Sequence, residues 1–135
     1  MEISIRTERR EELVDITAQV NSAVRDMGLR DGYAHLWCPH TTAGLTVNEG
    51  ADPDVRTDII MALDAIVPSL RFRHSEGNSA AHVKSVLTGQ FLVIPVSNGK
   101  LALGTWQSVF FCEYDGPRTR KVLLSIISRQ MEAKG

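Results

Sequence analysis

Three of the four histidines, His40, His74 and His82, stand in polar stretches that a domain of this size does not need for packing. Three imidazoles can hold zinc or a similar divalent ion and leave a coordination position open. Their separations of 34 and 8 residues match no compact motif such as HExxH, so their meeting depends on the fold. His35 lies inside a strand-like run and reads as structural. Carboxylates are the alternative metal donors. The run Asn48-Glu49-Gly50-Ala51-Asp52-Pro53-Asp54 places three of them at the start of a helix. There Asp52 serves as N-cap and Asp54 complements the helix dipole. Asp58 falls about 60° from Val55 on a helical wheel, at the border of the apolar stripe, where a half-buried carboxylate needs a partner. Asp64 points the other way, toward solvent.

The remaining chemistry is polar and cationic. Pro39-His40-Thr41-Thr42-Ala43-Gly44 joins an imidazole to two hydroxyls and to a glycine that permits close backbone approach to a ligand. Asn78 adds an amide, and Lys84, Arg118 and Arg120 add charges suited to a phosphate. Trp106 and Gln107 offer a flat wall with a hydrogen-bonding edge. Cys38 and Cys112 show no CxxC spacing and read as buried, reduced thiols. No serine stands in GxSxG context, and neither GxGxxG nor a Walker A loop occurs.

These residues need a scaffold, and the periodicity supplies one. Residues 2–7 alternate as a strand. Glu11 to Met27 reads as a helix, with Leu13, Ile16, Val20, Val24 and Met27 on one stripe and Gly28 past its end. Tyr33–Trp37 and Ala43–Val47 read as strands. A second helix starts at Asp52-Pro53, buries Val55, Ile59, Ala62, Leu63 and Ile66, and stops at Pro68. Arg71–Ser79 reads as a loop. A short helix, Ala80–Leu87, is capped by Ser79 and closed by Gly89. Phe91–Val96 is a strand that Pro95 assigns to an edge or a strand end, and Ser97-Asn98-Gly99 is a hairpin turn. Leu101–Leu103, Thr105–Tyr114 and Arg120–Ile127 complete the sheet, with Asp115-Gly116-Pro117 as a turn. The last two strands are apolar on both faces, as strands covered on both sides are. The expected architecture is a single-domain α+β sandwich of mostly antiparallel sheet, with six or seven strands, two main helices and one short helix.

At 135 residues the chain has room for one domain, with a core that needs no disulfide or metal staple. Its 43% apolar and 23% charged residues are the balance of a soluble protein, and a net charge of −1 argues against a nucleic-acid partner. The first residues, Met1-Glu2-Ile3-Ser4-Ile5, lack a basic-then-apolar leader, and no apolar run approaches the roughly 20 residues of a membrane span. A cytoplasmic location without membrane contact is the expectation.

Three long segments resemble the YjbQ family, also called secondary thiamine-phosphate synthases. The first is Cys38-Pro39-His40-Thr41-Thr42-Ala43-Gly44-Leu45-Thr46-Val47-Asn48-Glu49 followed by Asp52-Pro53-Asp54-Val55. The second is His74-Ser75-Glu76-Gly77-Asn78-Ser79 with Ala81-His82-Val83-Lys84-Ser85. The third is Leu101-Ala102-Leu103-Gly104-Thr105-Trp106-Gln107 with Glu113-Tyr114-Asp115-Gly116-Pro117-Arg118. Order, spacing and length fit over essentially the whole chain. Departures are Ser108 where a glycine is expected and Val86 where a second serine is usual. The resemblance implies an α+β homotrimer with pockets near subunit boundaries. It also implies a secondary thiamine-phosphate synthase activity, which joins hydroxymethylpyrimidine diphosphate to a thiazole phosphate and releases diphosphate.

The residues themselves admit three functions. A synthase would use a divalent ion of the zinc or magnesium class, on His40, His74 and His82 or on Asp52 and Asp58. Lys84, Arg118 or Arg120 would meet the phosphates of a small substrate, Thr41, Thr42 and Asn78 would make polar contacts, and Trp106 with Gln107 would hold the pyrimidine. A metal-dependent hydrolase of a small phosphorylated or carbonyl compound would use the same histidines, with Glu49 as general base. A trimeric metal- or small-molecule-binding protein would use the site without turnover. His40, Glu49, Asp58 and His82 are the candidate catalytic groups.

Overall fold

A computed structural model describes residues 1–129. In chain order the elements are β1 (Glu2–Arg6), β2 (Glu12–Asp15), α1 (Thr17–Asp26), β3 (Gly32–Trp37), β4 (Ala43–Glu49) and α2 (Pro53–Ile66). Then come α3 (Ser79–Thr88), β5 (Phe91–Ser97), β6 (Lys100–Leu101), β7 (Gln107–Glu113) and β8 (Thr119–Ser128). All strand pairings are antiparallel. The strands form a five-stranded sheet, β1-β8-β3-β5-β6, and a three-stranded sheet, β2-β7-β4.

Alternation along the strands explains the layers. Ile3 and Ile5, Ala34 and Leu36, Ile94 and Val96, and Val122 and Leu124 point from the large sheet into a core that Leu45, Val109 and Phe111 enter from the small sheet, with Val20, Ala23 and Val24 of α1. The next residues of the small sheet, Phe110 and Cys112, face the other way and meet Leu13, Ala81 and Tyr114, with Ile59, Ile60 and Leu63 of α2 packed on them. β7 is therefore covered on both faces, as its continuous apolar run requires. The architecture is α+β.

The first helix differs from the expectation over Glu11–Met27. Glu12–Asp15 pairs with β7 as a strand, and the helix starts only at Thr17. The helical spacing of Leu13 and Ile16 is overridden because Leu13 and Val14 alternate between the two faces of the small sheet. Gly28 does adopt a positive φ of 75° after the helix. In α2, Asp52 caps through its side chain to the Asp54 amide at 2.9 Å, and Pro53 is the first residue. None of its residues is fully buried, however. Ala62 and Ile66 of the expected stripe are exposed, and so is Asp58, because α2 is an outer layer that packs through Ile59, Ile60 and Leu63. The short helix has Asn78 rather than Ser79 at its N-cap and is as long as α1, at 10 residues. The 98–99 hairpin forms, with φ of 53° at Asn98 and 78° at Gly99.

β8 departs from its expected two-sided cover. Lys121, Ser125 and Ile127 lie on the outer face of the large sheet and are exposed. Tyr33, Trp37, Phe91 and Val93 are exposed on neighbouring strands of the same face, with His35 stacked on Phe91 at 6.0 Å.

Candidate functional site

The β3–β4 loop, the start of α3 and the β7–β8 turn meet at one end of the sandwich. Between them lies an open cleft of ≈ 430 Å³ lined by residues that include His40, Thr41, Thr42, Glu76, Asn78, His82, Asp115, Arg118 and Arg120. Strand register explains the meeting. Ala43 pairs with Glu113, so the loop before β4 and the turn after β7 emerge side by side. α3 packs on β4 and is tied there by Ser85, whose hydroxyl donates to the Ala43 carbonyl at 2.6 Å. Gln90 donates to the His40 carbonyl at 2.6 Å. Gly44 serves this packing: a Cβ there would lie 2.7 Å from the Gly89 carbonyl oxygen and 2.9 Å from Thr88. The close approach expected of it is made by the end of α3.

The cleft floor is a buried ion pair. Glu113 is 0% exposed and Arg120 4%. Arg120 donates Nε to Glu113 Oε2 at 2.8 Å and Nη2 to Oε1 at 2.5 Å, the planar two-point geometry that suits a guanidinium and a carboxylate. Nη2 also donates to Thr42 Oγ1 at 2.8 Å. Glu113 accepts further bonds from Thr7 Oγ1 at 2.8 Å and the Asp115 amide at 2.9 Å. Burial alone would raise the Glu113 pKa; the bonds from Arg120, Asp115 and Thr7 outweigh it and hold the carboxyl below its ordinary value. The fold turns Arg120, expected to meet a phosphate, inward on the core side of β8, where Glu113 holds it.

His40 packs edge-on against Phe111. Its Nε2 lies 3.1 Å from the Lys121 carbonyl oxygen and 3.0 Å from the Lys121 amide nitrogen. Burial, then the nearby Arg120 guanidinium, lowers its pKa, so the ring is neutral at pH 7. His74 and His82 stand edge to face with ring centroids 5.7 Å apart, and His74 Nε2 is 3.8 Å from Glu76 Oε2. Among the described residues no three metal-type donors converge closely enough to hold an ion as they stand.

Opposite, Arg118 donates Nε to the Asp115 carbonyl at 2.9 Å and Nη2 to Asp115 Oδ2 at 3.2 Å. Asn78 Nδ2 donates to the same carboxylate oxygen at 2.9 Å, while Asn78 Oδ1 is buried without a partner. Arg118 is half exposed, at 51% of its side chain.

Other expected site residues lie elsewhere. Lys84 is buried on the far side of α3, its ammonium 2.6 Å from Glu11 and 2.5 Å from Asp64, so it is not free for a phosphate. Asp64, expected in solvent, is that pair's exposed member. Glu49 is six positions along β4 from Ala43, roughly 20 Å at 3.4 Å per residue, and Gln107 pairs with it there. Glu49 accepts the Ala51 amide at 2.7 Å, and Gln107 accepts the Gly104 amide at 2.8 Å. Trp106, 65% exposed, belongs to that same distant end, since its carbonyl accepts the Gly50 amide at 2.8 Å. The signature segments thus form two groups at opposite ends of the small sheet. Burial pushes both thiols up, Cys112 to about 12, which removes thiolate chemistry at neutral pH. Glu113, Asp115 and Glu76 were not singled out from the sequence as site groups. A single acid directly after the apolar run 109–112 was the available signal for Glu113.

No helix of the described residues is long and apolar enough to cross a membrane. Comparison with known proteins agrees over the whole described chain. The family model for UPF0047 protein YjbQ-like matches residues 1–129. The chain is 46% identical over 127 residues to UPF0047 protein YugU of Bacillus subtilis, covering 93% of this chain and 96% of that protein. It is 51% identical over 124 residues to UPF0047 protein MJ1081 of Methanocaldococcus jannaschii, covering 91% and 90%. The crystal structure of a YjbQ/UPF0047-family protein from Clostridium acetobutylicum superposes with a TM-score of 0.91 at 50% identity, over 94% of this chain and 99% of that one. With sequence, topology and length in agreement, this chain belongs to the YjbQ/UPF0047 family.

Proposed function

We propose that the cleft binds a small phosphorylated substrate together with a divalent ion, and that its reaction is a secondary thiamine-phosphate synthase transfer. Hydroxymethylpyrimidine diphosphate would lose diphosphate as its methylene carbon, leaving oxygen, bonds to the ring nitrogen of the thiazole phosphate. The observation that carries this reading is the grouping of His40, His82, Asn78, Asp115, Arg118 and Arg120 around one opening.

Charge supports the ion. Arg118 and Arg120 are offset by Asp115, Glu113 and Glu76, and Lys84 is committed elsewhere. The cleft therefore lacks the surplus positive charge that diphosphate departure needs; a divalent ion supplies it. The orientation of His40 also fits. Nε2 faces both the Lys121 carbonyl and the Lys121 amide, so ligation by Nδ1 would use the tautomer in which Nε2–H donates to the carbonyl, not the one in which Nε2 accepts the amide and Nδ1 carries the proton. His74 and His82 would be the other ligands. Two imidazoles bound to one zinc at about 2.1 Å have centroids about 5 Å apart, against 5.7 Å for this edge-to-face pair, whose nitrogens would have to turn toward one point to share an ion. Arg118 would bind the phosphate oxygens.

The test mixes purified protein, Mg²⁺ or Zn²⁺, the pyrimidine diphosphate and the thiazole phosphate, and measures thiamine phosphate and diphosphate together. Arg118→Lys should weaken phosphate-ligand affinity about tenfold, because a point charge replaces a planar fork, and leave the melting temperature nearly unchanged. Unaltered affinity removes Arg118 from the site. Diphosphate release without coupling favours the hydrolase reading, with Glu76 as base, since Glu76 borders the cleft and Glu49 does not. Ligand binding without either product favours the non-catalytic reading.

The functional unit in this proposal is a homotrimer. Its support is the exposed apolar face of Tyr33, Trp37, Phe91, Val93 and Ile127, larger than scattered surface residues explain. Sedimentation at micromolar concentration should give three times the chain mass, and Trp37→Glu should shift it toward monomer. A wild type that sediments only as monomer refutes the assembly.

A further inference from the structure

The β7–β8 turn, which carries Asp115 and Arg118, is anchored from outside the cleft. The anchor is Thr7, 3% exposed, on the link between β1 and β2. Its Oγ1 accepts the Arg118 amide at 2.9 Å, and its own amide donates to the Arg118 carbonyl at 3.0 Å. The hydroxyl proton can reach Glu113 Oε2 at 2.8 Å or the Arg118 carbonyl at 3.0 Å. An ionised carboxylate is the stronger acceptor, so the proton points to Glu113. Glu113 in turn accepts the Asp115 amide through Oε1. The turn is seated tightly on this pair: a Cβ at Gly116 would lie 2.8 Å from Glu113 Cγ and 2.9 Å from Thr7 Oγ1. Both bonds that hold the Arg118 guanidinium go to Asp115, so its aim follows the position of the turn.

We propose that Thr7 is a positioning residue for the cleft, its hydroxyl bridging the buried Glu113 carboxylate to the Arg118 backbone and so directing the guanidinium at an anionic ligand. Thr7 lines no part of the cleft and acts only through Arg118. The inference rests on the reading that Arg118 meets phosphate.

The experiment compares Thr7→Val, which keeps the shape and loses the hydroxyl, with Thr7→Ser, which keeps the hydroxyl. Thr17→Val is the matched control. Thr17 Oγ1 also accepts a backbone amide, that of Val109 at 2.8 Å, but on α1, away from the cleft. Inorganic diphosphate, titrated calorimetrically with Mg²⁺ present, is the probe. Thr7→Val should weaken its binding about tenfold or more, the scale of outer-shell substitutions, while Thr7→Ser and Thr17→Val stay near wild type. Wild-type affinity in Thr7→Val, an equal loss in Thr17→Val, or no rescue by Thr7→Ser overturns the proposal. If wild type itself binds no diphosphate, the functional reading fails, and amide exchange then decides the positioning role. The Asp115 amide bonds Glu113 and not Thr7, so its exchange should accelerate in Thr7→Val and not in Thr17→Val. Unchanged Asp115 exchange in Thr7→Val refutes the bridge without reference to any ligand.

Discussion

Glu113→Ala is expected to cost about 3–5 kcal/mol, enough to leave the protein marginal at 37 °C, because it strands a buried guanidinium. Arg120 is 4% exposed and both contacting nitrogens bond Glu113, so truncation removes both of its charge-paired bonds at once. The double replacement Glu113→Leu with Arg120→Met should cost less than the single one, since it removes both charges together. Its residual cost is the loss of partners for Thr7 Oγ1, the Asp115 amide and Thr42 Oγ1. Urea unfolding of the three proteins measures both effects. A double variant that is worse than Glu113→Ala would show that shape, not charge, holds this site.

The same pair predicts an acid response. Glu113 is held below its ordinary value when folded, so its contribution is fully present above the unfolded pKa of about 4.3 and is lost as pH falls through the folded one. Wild type and Glu113→Gln should therefore differ in urea midpoint at pH 7 and converge progressively below about pH 4. A difference that stays constant down to pH 3 would mean that the carboxylate charge is not what stabilises the cleft floor.

How far the site could be read in advance depended on the range of each interaction. Asp52-Pro53 and Asn98-Gly99 are local devices, whose side chains and φ angles act on the next two or three residues, and they work as their residue types indicate. β7 was legible because Phe110 and Phe111 must face opposite ways and both be buried. Leu13 misleads because its helical spacing to Ile16 and Val20 fits a helix as well as a short strand; only pairing with β7 decides, about 100 positions away in the register Leu13↔Cys112 and Val14↔Phe111. Lys84 looked free because its partners, Glu11 and Asp64, come from a distant loop and another helix. The grouping of His40 with His82 and Arg118 was visible only as shared membership of signature segments. Its separation from Glu49 and Trp106 follows from the length of β4, which no motif spacing expresses.

The largest effect on ligand chemistry is expected at His82. His82→Ala should lower zinc affinity by more than about 100-fold, beyond what losing an outer-shell partner costs, because a direct donor is removed. Folding should be spared: His82 is half-buried on the cleft side of α3, while the helix is held from its other face by Ala81, Lys84 and Ser85. His40→Ala should also lose the metal but cost stability, since its ring packs on Phe111 and bridges to the Lys121 backbone. His35→Ala is the control, an imidazole stacked on Phe91 on the outer sheet face, and should retain metal at the wild-type level. Metal content after dialysis, a zinc titration and the thermal midpoint of each variant separate these cases. Ligand roles require that zinc binding fall in His40→Ala, His74→Ala and His82→Ala alike. Equal metal in wild type and His82→Ala removes His82 from the set. A wild type that takes up no zinc, magnesium or manganese dismisses the metal reading and leaves Arg118 and Arg120 to meet a substrate phosphate without help, a cleft in which Asp115 and Glu113 already claim both charges.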